Sequence, residues 1–97
     1  MLTSKQRSYL KSLANAINPI FQVGKGGINE NMIRQFNEAL EARELIKGTV
    51  LNNALSDSRQ IAQEIADETG AELVLVIGSK FILYKESKKN KIIELPK

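Results

Sequence analysis

Residues 24–27 read Gly-Lys-Gly-Gly, a Gly-x-x-Gly tetrad with one cation inside it, set in the longer stretch "QVGKGGIN" at 22–29. Glycine has no Cβ, so such a backbone reaches left-handed conformations and lets a ligand come close. The N–H groups that open a helix after Ile28 carry partial positive charge. Together with Lys25 those donors suit a phosphodiester. The tetrad is not a Walker A loop, which needs four residues between its first glycine and a Gly-Lys-Ser/Thr end, nor the longer dinucleotide fingerprint. The competing reading is a tight turn that uses Gly24, Gly26 and Gly27 only for their backbone angles.

The surroundings of the tetrad favour the phosphate. Residues 1–29 hold four bases (Lys5, Arg7, Lys11 and Lys25) and no acid, residues 30–72 hold nine acids against four bases, and residues 73–97 hold six bases against two acids. The overall charge of +3 therefore conceals a basic start, an acidic middle and a basic end. Lys5, Arg7 and Lys11 beside the loop form a candidate phosphate track. Lys80 and Lys85, near the end, either extend it or guard an edge strand against aggregation. A nucleic-acid backbone held by a Gly-x-x-Gly loop is also the way of the KH module.

Catalysis is disfavoured by subtraction. The chain has no His and no Cys, so the commonest general base, the commonest metal ligands and the thiol nucleophile are missing. Most acids fall on the water-facing sides of helices, and no cofactor or metal is expected. Tyr9 and Tyr84 are the aromatic residues best suited to stacking on a base, whereas Phe21, Phe36 and Phe81 sit where a core needs them. No apolar run is long enough for a signal peptide or a membrane span, since Lys5, Arg7 and Lys11 interrupt residues 2–17. A cytoplasmic location and a monomer are expected.

The elements that must position these residues follow from spacing. Thr3 or Ser4 caps a first helix running to about Asn15, with Leu10, Leu13, Ala14 and Ile17 on one face. Pro19 stops it, and Ile20–Val23 reads as a short strand. Asn29 caps a second helix with a Met32, Ile33, Phe36, Ala39 and Leu40 stripe; Arg34, Glu38 and Glu41 face water. Residues 45–51 form a strand that Gly48 weakens or bulges. Ser56 or Asp57 caps a third helix built on Ile61, Ala62, Ile65 and Ala66 and closed at Gly70. Two strands then meet at Gly78-Ser79, a hairpin turn, and the unbroken run Leu73–Ile77 predicts a central strand. Residues 86–97 either add a short edge segment or stay loose. The predicted fold is one α/β domain over 1–97, a small two-layer sandwich with a mixed four-stranded sheet and three helices, in the order α-β-α-β-α-β-β.

"LTSKQRSYLKSLA", "NPIFQVGKGGINENMIRQFNEALEARELIKGTVL" and "LVLVIGSKFILYKE" resemble, in order and spacing, the CRM domain of the small bacterial YhbY-like proteins, also found in plant organelle splicing factors. The resemblance covers nearly the whole chain and is most specific at "QVGKGG", "EALEARELIK" and the late "IG-x-K-x-x-LYK". It implies RNA binding, a fold similar to the C-terminal domain of a bacterial translation initiation factor, and a role with rRNA of large-subunit precursors. Gly24, Lys25, Gly26 and Gly27 match the family's loop, and Lys5, Arg7 and Lys11 its basic first helix. Two positions depart: Ser79 stands where a basic or larger polar residue is common, and Gly48 where a β-branched one is expected. The rival reading is a protein-interaction module whose acidic helices dock a basic ribosomal protein, with the glycine loop serving only the fold.

Overall fold

Residues 2–24, 28–51 and 58–96 are described by a computed structural model of the chain. Its elements are α1 (Ser4–Ala14), β1 (Phe21–Val23), α2 (Glu30–Arg43), β2 (Leu45–Val50), α3 (Ser58–Thr69), β3 (Glu72–Ile77) and β4 (Lys80–Tyr84). The order is the predicted one. Thr3 starts α1 with a capping box: its hydroxyl accepts from the Gln6 amide and the Gln6 side chain accepts from the Thr3 amide, both at 3.1 Å. Asn29 starts α2 by accepting from the Met32 amide at 2.8 Å. The expected caps of α3, Ser56 and Asp57, lie outside the described residues.

The strands form one mixed sheet in the order β1-β2-β4-β3, with β1 parallel to β2 and both other pairs antiparallel. On one face α2 and α3 bury Phe36, Leu40, Ile61 and Ile65 against Val23, Ile46, Phe81 and Leu83. On the other face α1 buries Leu10 and Ala14 against Leu45, Val74, Ile82 and Tyr84. Each fully buried side chain of this size stabilises the fold by roughly 1.5–3 kcal/mol relative to exposure. Helices on both faces explain why Leu73–Val76 is continuously apolar although β3 is an edge strand rather than the expected central one. The central strands are β2 and β4, so Lys80 and Lys85 do not guard an edge.

Gly48 neither bulges nor breaks β2, whose pairing with β4 runs without interruption from Leu45–Tyr84 to Thr49–Lys80. The glycine is there for Phe81: a Cβ at position 48 would stand 2.4 Å from that ring's Cζ. A β-branched residue, as the family resemblance suggested, would collide with the ring. The irregularity is instead in β3, where Leu73 pairs with Leu83 and Leu75 with Ile82, leaving Val74 as an extra residue. Val74 and Leu75 consequently both face α1, and the end of β3 changes sides.

The C-terminal stretch neither adds a strand nor hangs free. Glu44 follows α2 with φ 66°, a left-handed conformation unusual for a side chain of its size, and its carboxylate is buried. One of its oxygens accepts from the amides of Ile92 (2.7 Å) and Ile93 (2.6 Å), and the other from the amide of Ser87 (2.7 Å). Glu41, one turn earlier and expected to face water, accepts from the Ser87 hydroxyl at 2.6 Å and from the amides of Lys88 and Lys89 at 3.1 Å. Ile93 and Leu95 pack on the α1 side, and the Pro96 carbonyl accepts from Gln6 Nε2 at 3.0 Å.

Candidate nucleic-acid interface

The period of two along β2 puts Leu45, Lys47 and Thr49 on the α1 side of the sheet. Their partners on β4 are Tyr84, Ile82 and Lys80. Because of the Val74 bulge, β3 contributes Leu75 opposite Ile82 and Ile77 opposite Lys80. Two rows therefore cross three strands on this face, Leu75-Ile82-Lys47 and Ile77-Lys80-Thr49. Adjacent strands lie about 4.8 Å apart and alternate residues about 6.8 Å, so the Cα atoms of Lys47 and Lys80 are separated by roughly 8 Å.

The C-terminal half of α1 lies beside these rows. Lys11, Ser12 and Asn15 form one wall of a groove of about 390 Å³. Its floor is these rows apart from Thr49, with Lys47 and Lys80 among Leu75, Ile77 and Ile82. Lys11, Lys47 and Lys80 form no ion pair among the described residues. Ile77 is 64% exposed, which is unusual for a large aliphatic residue in a strand.

Gly24, the first residue of the tetrad, lies at this same end of the sheet. Gly24 follows β1, the Leu51 amide donates to the Val23 carbonyl at 2.8 Å, and the Val50 amide donates to the Ser79 carbonyl at 2.6 Å. Gly24, Leu51 and the Gly78-Ser79 turn thus cap neighbouring strand ends, with Gly78 at φ 58° opening the turn. Lys25, Gly26 and Gly27 lie outside the described residues.

The remaining sequence-predicted cations fall elsewhere. Lys5 is exposed on α1, roughly 9 Å along the helix axis from Lys11. Arg7 is half-buried, and its Nη1 donates to the carbonyls of Leu73 and Val74 at 2.7 Å each. It clamps the β3 bulge. Lys85 is at the opposite end of β4 from Lys80, roughly 17 Å away at strand rise. Its Nζ donates to the Thr69 carbonyl at 2.8 Å, satisfying the C-terminal end of α3, where positive charge is favoured. Tyr84, a stacking candidate by sequence, is buried under α1; its hydroxyl has no hydrogen-bond partner, and burial, then the charges of Glu44 and Glu86, push its pKa up. Tyr9 is 38% exposed on α1. Phe36 and Phe81 are fully buried, and the half-buried Phe21 stacks at 4.2 Å between ring centroids on Phe36.

Sequence reasoning missed Lys47, Asn15 and Ile77. Lys47 carried a usable signal: a lone charge alternating with Leu45 in an otherwise apolar strand must share that residue's face. Ile77 carried none, because its side depends on the bulge. The acidic centre is also placed. Glu30, Glu64 and Glu68 line a cleft of about 420 Å³ between α2 and α3, on the face away from the lysine groove. Among the described residues no helix is long and apolar enough to cross a membrane.

Comparison with known proteins places these features in context. Residues 2–85 match the family model described as the CRS1/YhbY (CRM) domain. The chain is 55% identical over 96 residues to a Bacillus subtilis (strain 168) protein named "Probable RNA-binding protein YqeI", covering 99% of this chain and 100% of the relative. It is 35% identical over 96 residues to a Haemophilus influenzae protein named "RNA-binding protein", covering 99% and 96%. Its fold is similar to the solution structure of a hypothetical Staphylococcus aureus protein offered there as a candidate RNA binder. That likeness has a TM-score of 0.82 and 58% identity, over 99% of this chain and 100% of the other.

Proposed function

The chain belongs to the CRS1/YhbY (CRM) domain family, and from that membership we propose that it is a non-enzymatic RNA-binding protein that holds backbone phosphates and acts on rRNA of large-subunit precursors. Support for phosphate binding comes from one observation above all. Lys11, Lys47 and Lys80, without ion-pair partners among the described residues, share a face at the sheet end where Gly24 leads into the tetrad. Gly24, Lys25, Gly26 and Gly27 supply the close-approach backbone and its charge; Lys5 adds a cation further along α1. Arg7 contributes chiefly by holding the β3 edge that carries this surface, and Lys85 lies off it.

Phosphate neutralisation releases counterions, so affinity for a structured RNA should fall with salt at a log–log slope of roughly 3–6. A slope near zero would count against a phosphate-binding surface. Sedimentation of a lysate in low magnesium should place the protein with large-subunit particles or their precursors. Recovery only in the top fractions, across growth conditions, removes the ribosomal role and leaves RNA binding standing. The acidic cleft between α2 and α3 favours a second reading, docking of a basic ribosomal protein. Substituting Glu64 and Glu68 by Gln would abolish that docking while leaving RNA affinity unreduced.

A further inference from the structure

We propose that the groove between α1 and the β2-β4-β3 face is a subsite for one unpaired nucleotide, with Lys47, Ile77 and Asn15 as its unassigned contact residues; this rests on the RNA-binding reading above. The groove combines two chemistries that a surface for phosphates alone does not need. Three cations, Lys11, Lys47 and Lys80, stand around it, yet Leu75, Ile77 and Ile82 make its floor apolar. A phosphate gains nothing from the aliphatic rows. A nucleotide uses both, its phosphate on the ammonium groups and its base on the exposed Ile77 side chain and on Leu75.

Size narrows the occupant. At about 390 Å³ the groove lies within the range of small-molecule sites, and far below what a paired helix would occupy. Bases in a duplex present only their edges, while those in loops, bulges and single strands turn a whole face outward. Asn15, on the α1 wall, brings an amide with both donors and acceptors to the rim, suited to a base edge. The apolar floor is a built feature. Were β3 to alternate regularly from Leu73 onward, with no bulge, Leu75 and Ile77 would fall on the α2–α3 side. Arg7 holds the bulge by donating to both of its carbonyls.

The test uses the full chain and two probes of equal phosphate number, an unstructured single-stranded RNA and a fully paired RNA duplex, with binding read by fluorescence anisotropy. Wild type should prefer the single strand by about tenfold. Ile77→Ser, which changes no charge at an exposed position, should weaken the single strand by about fivefold and leave the duplex within twofold. Lys47→Gln should lower the salt slope by about 1 for the single strand only. Melting temperatures within a few degrees of wild type establish that each variant is folded. Equal loss on both probes from Ile77→Ser, or no loss on either, overturns the nucleotide subsite and leaves phosphate binding intact. A wild type that binds neither probe overturns RNA binding and the subsite together.

Discussion

Replacing Glu44 by Gln tests whether a buried carboxylate pins the C-terminal stretch to the domain. The side chain keeps its shape but can present only one carbonyl oxygen. If that oxygen stays on the amides of Ile92 and Ile93, the new NH2 faces the Ser87 amide, donor against donor. One unsatisfied buried donor costs about 1–3 kcal/mol, and the two surviving bonds each fall from charge-assisted to neutral strength, about 1 kcal/mol apiece. Relief of the carboxylate's desolvation offsets part of this, for a net loss of about 2 kcal/mol. For a chain of this length that lowers the melting temperature by about 8–16 °C.

The control is Glu38→Gln, exposed on α2, the helix that Glu44 follows, which should melt within about 2 °C of wild type. The pH dependence has a definite sign. Burial pushes the Glu44 pKa up, but the amides of Ile93, Ser87 and Ile92 and the Lys91 charge outweigh it and hold it below the ordinary 4.5. The Ser87 hydroxyl and the Lys88 and Lys89 amides do the same for Glu41. Groups with lowered folded-state pKa values contribute stability that is complete above the unfolded value and lost as pH falls through the folded one. Wild type should therefore lose more melting temperature than Glu44→Gln between about pH 7 and about pH 3. Circular dichroism melts and amide exchange at Ser87 decide the matter. A variant with wild-type melting temperature, or one whose Ser87 amide stays as protected as before, would refute the latch.

Gly48→Ala drives a methyl into the Phe81 ring and should cost about 2–3 kcal/mol in denaturant unfolding; Phe81→Leu in the same chain should recover part of that loss, a non-additivity that independent sites would lack. Arg7→Met leaves the Leu73 and Val74 carbonyls without their donor, and should cost about 1–3 kcal/mol while speeding amide exchange across the β3–β4 hairpin. Lys25→Asp with Gly26→Asp should abolish RNA binding, whereas Lys88, Lys89 and Lys91 all changed to Gln, with the same drop in net charge from +3 to zero, should leave most of it. Equal loss in the two would mean that overall charge, and no particular loop, holds the RNA.

The helices were legible because their signals are local. Thr3, Asn29 and the 3.6-residue stripes fixed α1 and α2 to within a residue or two, and Gly78 marked the hairpin. Strand order was not legible from Leu73–Ile77 alone, because an edge strand covered on both faces has the same composition as a central one. Gly48 misled for a similar reason: its partner, Phe81, is 33 positions away and meets it only across the β2–β4 ladder. Glu41 and Glu44 looked like solvated helix residues, since nothing local reveals that amides more than forty positions later need acceptors. The candidate interface was half legible. Lys11 and Lys80 could be named from charge alone, but Lys47 and Ile77 join them only through sheet register and the bulge, and Arg7 and Lys85 were claimed by carbonyls that no pattern in the sequence announces.

The contacts of α1 bear on the order in which the molecule can assemble. Its core partners include Leu45, Val74, Ile82, Ile93 and Leu95, and its Gln6 side chain reaches a carbonyl 90 positions away. The packing around α1 is thus complete only once residues 93–96 are in place. The α2–α3 face draws on residues from about 21 to 83 and is complete while residues 92–95 are still to come. Until Ile93 and Leu95 are in place, the cluster around Leu10 and Ala14 lacks part of its cover. Loop-closure entropy opposes the docking of residues 93–96 on α1, and it grows only slowly with separation, by about 0.6 kcal/mol per doubling of length.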